Sequence, residues 1–379
     1  MGIAALKPLE VRVRRMLMSR QGQFIGRLVA GTADAIALGP TPRILFVRAE
    51  RIGDVLISVP VIRAVRRHYP GATIDLLVSN ANAGVEPAVK PWVDHVWRYD
   101  KRIGPSVRLI QRLRRSKYDL MVDLVNGPSV TSRFVAKWSR AARVLGVLHE
   151  QPGFLTHAVP LLDPRRVHVV TRTAQLLLAF GIDPELEDLR LEYPLTADDR
   201  LRALARLSPA SAPYRLGVNV SGRGPAKYWG RDNFVAAIGM IRELDPRFSV
   251  TVCGAPEYAA EIAAIAEAAA AYQVAPLETF HEFAAIINSF DLLLTPDTSV
   301  VHLAAAWRIP LVGLFRADPN TMPWLPYGTP HRAILHQGPL AGILPIQVIQ
   351  LMAALIDECF GPPEALRPGS VPRSRRESP

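Results

Sequence analysis

From Arg43 onward, short apolar runs rich in β-branched residues alternate with amphipathic stretches of helical period. That alternation is the signature of a parallel sheet whose strands are joined by crossover helices. Residues 44–47, 73–78, 95–99, 120–125 and 144–147 read as strands, and 55–68, 106–115 and 130–141 as the helices between them. A further helical run, 168–180, stops at Gly181, a residue suited to a helix C-cap. These elements make one Rossmann-like half. Proline then breaks the rhythm at 184, 194, 209 and 213, before the alternation restarts. In the second half, 216–220, 248–252, 292–294 and 311–315 read as strands, and 231–244, 257–271, 280–289 and 300–307 as helices. A last helix over 345–360 precedes a tail rich in Pro, Arg and Ser, which is expected to be disordered.

The length, 379 residues, suits two domains at roughly 150 residues each. The expected fold class is α/β, two Rossmann-like domains facing a central cleft. Its expected layout is an N-terminal extension (1–40), a first domain (41–185), a linker (186–212), a second domain (213–345), a C-terminal helix (346–360) and a tail (361–379). Apolar residues are 49% and charged residues 21% of the chain, ordinary globular usage that excludes extensive disorder and collagen-like sequences. Cys253 and Cys359 are too few for a disulfide framework, and no Cys/His cluster has zinc-ligand spacing, so no metal site is expected.

The net charge of +11 raises nucleic-acid binding as a possibility. The excess is local, however: six Lys/Arg against Glu10 and Asp34 in residues 1–40, and seven against none in 101–117. It is not interleaved with aromatic residues, so it suits an acidic surface or substrate better than a nucleic acid. No run reaches the ~18 apolar residues of a spanning helix, and the N-terminus lacks the pattern of a secretory signal. A cytoplasmic protein is expected. Within residues 1–40, Arg12, Arg14, Arg15, Arg20 and Arg27 lie among Val11, Val13, Met16, Leu17, Phe24, Ile25, Leu28 and Val29, a mixture suited to an anionic membrane interface or to packing on the first domain.

Three strand-to-helix turns carry chemistry. The first, Arg48-Ala-Glu-Arg51-Ile-Gly53-Asp54, follows the first strand and places Asp54 either as a helix cap or as an acid in the crevice beyond the strand ends. In the second, Ser221-Gly-Arg-Gly-Pro-Ala-Lys227, glycines admit backbone N–H groups to phosphate oxygens, Ser221 can donate and Lys227 adds charge; an ordinary turn is the alternative. The third, Pro296-Asp297-Thr298-Ser299-Val-Val-His302, opens a helix whose N-terminus is an anion site within reach of His302. Capping by Asp297 or Thr298, with His302 in the core, competes evenly with that reading. An acid from one half and phosphate-binding turns from the other suit transfer from a diphosphate-activated donor.

The segments RILFVRAERIGDVLISVP (43–60), YPGATIDLLV (69–78), SGRGPAKYW (221–229) and PDTSVVHLAAA (296–306) resemble, in order and spacing, glycosyltransferase family nine, the ADP-heptose:lipopolysaccharide heptosyltransferase type. The resemblance spans about 43–345. It implies a GT-B fold, an acceptor-side first domain and a nucleotide-sugar-binding second one. Inverting transfer from a nucleotide sugar, with no obligatory metal or other cofactor, follows from it. It also implies a lipopolysaccharide-core or other lipid-linked acceptor, presented at the inner face of the cytoplasmic membrane. By the same resemblance Asp54 is the general base, with Arg48, Arg51 and Gly53 beside it on the acceptor side. Ser221, Lys227, Asp297, Thr298, Ser299 and His302 line the donor. Ser299 and Arg316 depart from the family's glycines. A sugar-nucleotide epimerase using the same cleft is the competing enzyme reading.

Overall fold

The computed structural model describes residues 25–100, 102–207 and 211–361. The tail expected over 361–379, apart from Gly361, and residues 1–24 of the extension lie outside the described residues. The first lobe is built on strands β1 (Arg27–Leu28), β2 (Arg43–Val47), β3 (Thr73–Ser79), β4 (His95–Tyr99), β5 (Leu120–Asp123), β6 (Arg143–Val147) and β7 (His157–Val159). The second is built on β8 (Tyr214–Asn219), β9 (Phe248–Cys253), β10 (Tyr272–Gln273), β11 (Leu292–Pro296), β12 (Leu311–Arg316) and β13 (His331–His336). The sheet orders are β1-β7-β6-β5-β2-β3-β4 and β10-β9-β8-β11-β12-β13. Every strand pair is parallel.

Ile44–Val47 of β2, Leu120–Val122 of β5 and Leu292–Leu294 of β11 are unbroken apolar segments because both faces of a parallel sheet are covered. Along β2, Ile44 and Phe46 enter one apolar cluster while Leu45 and Val47 enter another on the opposite face. The first of these clusters continues into the second lobe through Ala284, Ile286, Val300 and Leu303. Apolar packing therefore joins the two lobes directly.

Several elements differ from expectation. The helix expected over 55–68 is two, Ile52–Leu56 and Val59–His68, because Pro60 has no N–H to donate and is accommodated only in a helix's first turn. The run 168–180 is an α-helix, Val169–Ala174, that tightens into a 3-10 turn, Gln175–Phe180, and ends at Gly181 with φ 74°. The first strand is Arg27–Leu28, paired with His157 and Ala158, not the one at 44. Val29 and Ile36 are in the core, so the end of the segment expected as an extension over 1–40, including Leu28 and Val29, belongs to the first lobe.

The linker expected over 186–212 contains a helix, Ala197–Arg206, started by a capping box between Thr196 and Asp199. That helix is held to the second lobe by Asp199–His281 (3.3 Å) and Arg206–Glu282 (3.0 Å) ion pairs. Upstream, the buried Arg63 of the first lobe ties the same segment down through Glu192 (2.7 Å) and the Arg190 carbonyl (3.1 Å). The connection thus bridges both lobes as ordered structure.

Candidate active site

Parallel strands leave their C-terminal ends, and the turns that follow them, along one edge of each sheet. Arg48, Glu50 and Asp54 follow β2, Ser221 and Lys227 follow β8, and the 297–302 turn follows β11. Asp54 lies in the first turn of Ile52–Leu56, whose N-cap is Arg51, and no side chain caps that helix. The capping role open to Asp54 is therefore not the one it has. Its partner is Arg48, 3% exposed, with Nη2 at 3.6 Å from Oδ1. Arg48 also donates through Nε to the Asp54 carbonyl (3.1 Å) and through Nη1 to the Leu124 carbonyl. Arg51 is exposed at the mouth of the turn.

In the second lobe Lys227 Nζ is hydrogen-bonded to Asp297 Oδ2, which draws the 221–227 loop against the 297–302 turn. Gly222 is required there, because a Cβ would stand 2.0 Å from the Lys227 carbonyl oxygen. Asn219, buried at the end of β8, donates to Thr295 Oγ1 (2.9 Å) and Thr298 Oγ1 (3.2 Å). Its own Oδ1 accepts from the Ser221 N–H (3.2 Å), while Ser221 Oγ accepts from the Ala255 N–H (2.7 Å). Thr298 is the N-cap of the helix Ser299–Trp307 and accepts from the Val300 N–H (3.3 Å), so the capping expectation holds for Thr298. Arg316, at the end of β12, is exposed.

His302 is buried, with Nδ1 sealed from solvent and unpartnered. Burial pushes its pKa down to about 4, opposed by Asp297 and aided by His168, so at neutral pH the ring is uncharged and offers a single N–H. It is neither a satisfied core histidine nor a cation. A Cβ on Gly53 would lie 2.8 Å from His302 Cδ2 and 3.7 Å from the Ser299 Cα, so the residue before Asp54 touches the helix that begins at Ser299. Only glycine permits that approach. All three motifs are thereby joined: Asp54 through Gly53 to His302 and Ser299, and their turn through Asp297 to Lys227.

Residues that sequence reasoning did not single out complete the surroundings. His168 Nδ1 accepts from the Val170 N–H (3.2 Å), and Nε2 meets the Leu325 carbonyl across the lobes (2.8 Å). Asp123, at the end of β5, is fully buried and accepts from Ser132 Oγ (2.7 Å); burial pushes its carboxyl up to about 7. Glu50 accepts from Ser129 Oγ (3.1 Å). Position at the end of a strand was the available signal for Glu50 and Asp123. None existed for His168, which approaches the site only through the tertiary fold.

Among the described residues no helix is long and apolar enough to cross a membrane. The profile of glycosyltransferase family 9 (heptosyltransferase) matches residues 106–339. Lipopolysaccharide heptosyltransferase 3 of Escherichia coli is 26% identical over 292 residues, 73% of this chain and 83% of that protein. The solved family 9 glycosyl transferase from Veillonella parvula superposes with a TM-score of 0.69 at 19% identity, covering 86% of this chain and 99% of that one. E. coli heptosyltransferase WaaC, solved with ADP-2-deoxy-2-fluoro heptose, gives a TM-score of 0.63 at 19% identity, covering 82% and 99%. With two parallel α/β lobes meeting at the turns that carry Asp54, Lys227 and Thr298, this chain belongs to glycosyltransferase family 9 and is a heptosyltransferase-like glycosyltransferase of the GT-B fold.

Proposed function

We propose that this protein transfers a heptose, or a closely related sugar, from an ADP-activated donor to a lipopolysaccharide-core acceptor with inversion at the anomeric carbon, Asp54 acting as general base. The observation that carries this reading is the contact of Gly53 with His302 and Ser299, which sets Asp54 beside the turn that Lys227 joins through Asp297. The reading is also supported by the similarity to proteins named as lipopolysaccharide heptosyltransferases.

In the reaction, the Asp54 carboxylate takes the proton of an acceptor hydroxyl as its oxygen attacks the anomeric carbon from the face opposite the diphosphate. The C1–O bond breaks, and ADP leaves with the bonding electrons. Positive potential for that departure comes from Lys227 and the N-terminus of Ser299–Trp307. Lys227 exchanges Asp297 for the diphosphate when donor binds. Ser221 and Thr298 stand beside it as polar contacts, and neutral His302 contributes one hydrogen bond without charge.

Lys227→Ala is expected to weaken ADP binding roughly 10- to 100-fold by calorimetry, the worth of one charge-assisted hydrogen bond. Unchanged affinity would remove Lys227 from the donor site. Chelators are expected to leave turnover intact, because Lys227 and the helix N-terminus supply the charge that a metal would otherwise provide. Activity lost in EDTA and restored by magnesium or manganese would contradict this.

The function itself is tested by incubating the protein with ADP-heptose and a lipopolysaccharide-core acceptor and analysing the products by mass spectrometry and NMR. The expected result is an acceptor heavier by one heptose with the anomeric configuration opposite to the donor's. Free sugar released without any acceptor would favour the epimerase reading. A lipid-linked acceptor places the enzyme on the inner face of the cytoplasmic membrane, where exposed Arg108, Arg112 and Arg115 on the helix Ile103–Ser116 suit an anionic surface.

A further inference from the structure

In the free protein the Lys227 ammonium is already taken: it is paired with Asp297, and both side chains are largely shielded from water, with exposures of 24% and 30%. The closed pair is neutral. When Lys227 turns to a donor diphosphate, Asp297 is left as a carboxylate beside a second anion, and that like-charge contact opposes binding of the ligand. The exchange therefore calls for a second cation within reach of Asp297, one that has no partner of its own while Lys227 holds the acid.

Arg316 meets both conditions. It is the last residue of β12, it is exposed, and among the described residues its side chain has neither a carboxylate nor a hydrogen-bond partner. Asp297 lies on the neighbouring strand's end: β11 and β12 are paired with Pro296 opposite Leu314, and the Asp297 N–H donates to the Leu314 carbonyl (2.9 Å). Adjacent strands are about 4.8 Å apart, so an arginine two residues beyond Leu314 has Asp297 within the length of its side chain. Direction agrees with distance. Side chains alternate along a strand, and Val312 and Leu314 enter the apolar cluster that holds Trp229 and Leu340, so Arg316 continues the face on which the 221–229 loop ends. On its other side stands its register partner His336, against the turn Leu340–Gly342: a Cβ on Gly342 would lie 2.7 Å from His336 Nε2. That turn packs against Pro225–Lys227, so Arg316, Asp297 and Lys227 share one end of the second sheet.

We infer that Arg316 is the counter-ion that receives Asp297 when Lys227 leaves it for the donor diphosphate, so that donor binding passes one carboxylate from a lysine to an arginine. The inference rests on the reading of Lys227 as a ligand of that diphosphate. Arg316 is a positioning residue: it does not touch the nucleotide but frees the group that does. Lys227 and Asp297 each keep a partner in both states, Lys227 first with Asp297 and then with the diphosphate, Asp297 first with Lys227 and then with Arg316. The guanidinium suits the task, because it stays charged and its planar fork takes a carboxylate through two hydrogen bonds.

The test is a double-mutant cycle on the full-length protein, read by calorimetric titration with ADP at constant ionic strength. Arg316→Gln is expected to weaken ADP binding about fivefold, the upper range for a partly exposed ion pair, and Arg316→Lys to recover most of that loss. Asp297→Asn, which leaves no carboxylate to be received, is expected to bind ADP at least as tightly as the wild type. In that background Arg316→Gln is expected to have no further effect. Because Arg316 is unpaired in the free protein, Arg316→Gln is also expected to unfold, without ligand, at the wild-type Tm. Unchanged ADP affinity in Arg316→Gln overturns the inference. So does an affinity loss that persists in the Asp297→Asn background, which would put Arg316 on the diphosphate itself, and so does a ligand-free Tm that falls with the affinity, which would make the residue structural. Failure of the underlying reading looks different: Lys227→Ala with wild-type ADP affinity removes the donor assignment and the exchange together, whereas weakened binding in Lys227→Ala with no coupling between Arg316 and Asp297 removes the exchange alone.

Discussion

Asp54→Asn is expected to retain the fold and the binding of ADP while losing transfer by about 10²–10⁴-fold, the usual worth of a general base. The reason is local. The hydrogen bonds that anchor this residue, from Arg48 Nε (3.1 Å) and Ser58 Oγ (2.8 Å), both go to the Asp54 main-chain carbonyl and survive the substitution. The carboxamide has nearly the shape of the carboxylate, so the contact of Gly53 with His302 is undisturbed. What disappears is the ability to accept a proton from the acceptor hydroxyl. ADP binding, assigned in the proposed reading to the Lys227 side, is expected to match wild type by calorimetry. Near-wild-type ADP release in a coupled turnover assay would reduce Asp54 to the structural partner of Arg48.

Much of this architecture was legible because parallel strands covered on both faces favour continuous apolar runs, as at Ile44–Val47 within β2 and Leu120–Val122 within β5. The elements that escaped lack that signal. β1 and β10 have two residues each, and β13 carries His331, Arg332 and His336 at the sheet edge, where only one neighbour imposes burial. The helix Ala197–Arg206 was legible in principle: Thr196 and Asp199 are spaced as a capping box, but the flanking prolines dominate that stretch.

The candidate site divides in the same way. Asp54, Lys227 and Thr298 announce themselves at strand-to-helix turns, where position alone is informative. Pairings such as Lys227 with Asp297, 70 residues apart, depend on how the strands are ordered, which the local pattern does not encode. Arg172 sits mid-pattern in an amphipathic stretch, where an arginine reads as a solvated face. Only the packed structure shows that it is buried.

Arg48→Ala is expected to cost about 3–5 kcal/mol of stability, the range for removing one partner of a buried ion pair. Both side chains are almost inaccessible, 3% for Arg48 and 8% for Asp54, so water cannot replace the guanidinium cheaply. Three groups lose a partner together: the Asp54 carboxylate at 3.6 Å, the Asp54 carbonyl and the Leu124 carbonyl at the end of the β5 turn. The last of these ties the loop after β5 to the turn after β2, so its loss loosens the first-lobe wall as well as the acid. Lysine keeps the charge but cannot bridge the same two carbonyls with a planar fork, and Arg48→Lys is expected to recover only part of the loss. Denaturant unfolding of both single variants and of the Arg48→Ala, Asp54→Asn double variant separates the charge from the carbonyl contacts. If the buried pair is the dominant interaction, the double variant is more stable than the summed single losses imply, by about 0.5–3 kcal/mol. Strict additivity would mean that Arg48 acts through the carbonyls alone and that Asp54 reaches its position without it.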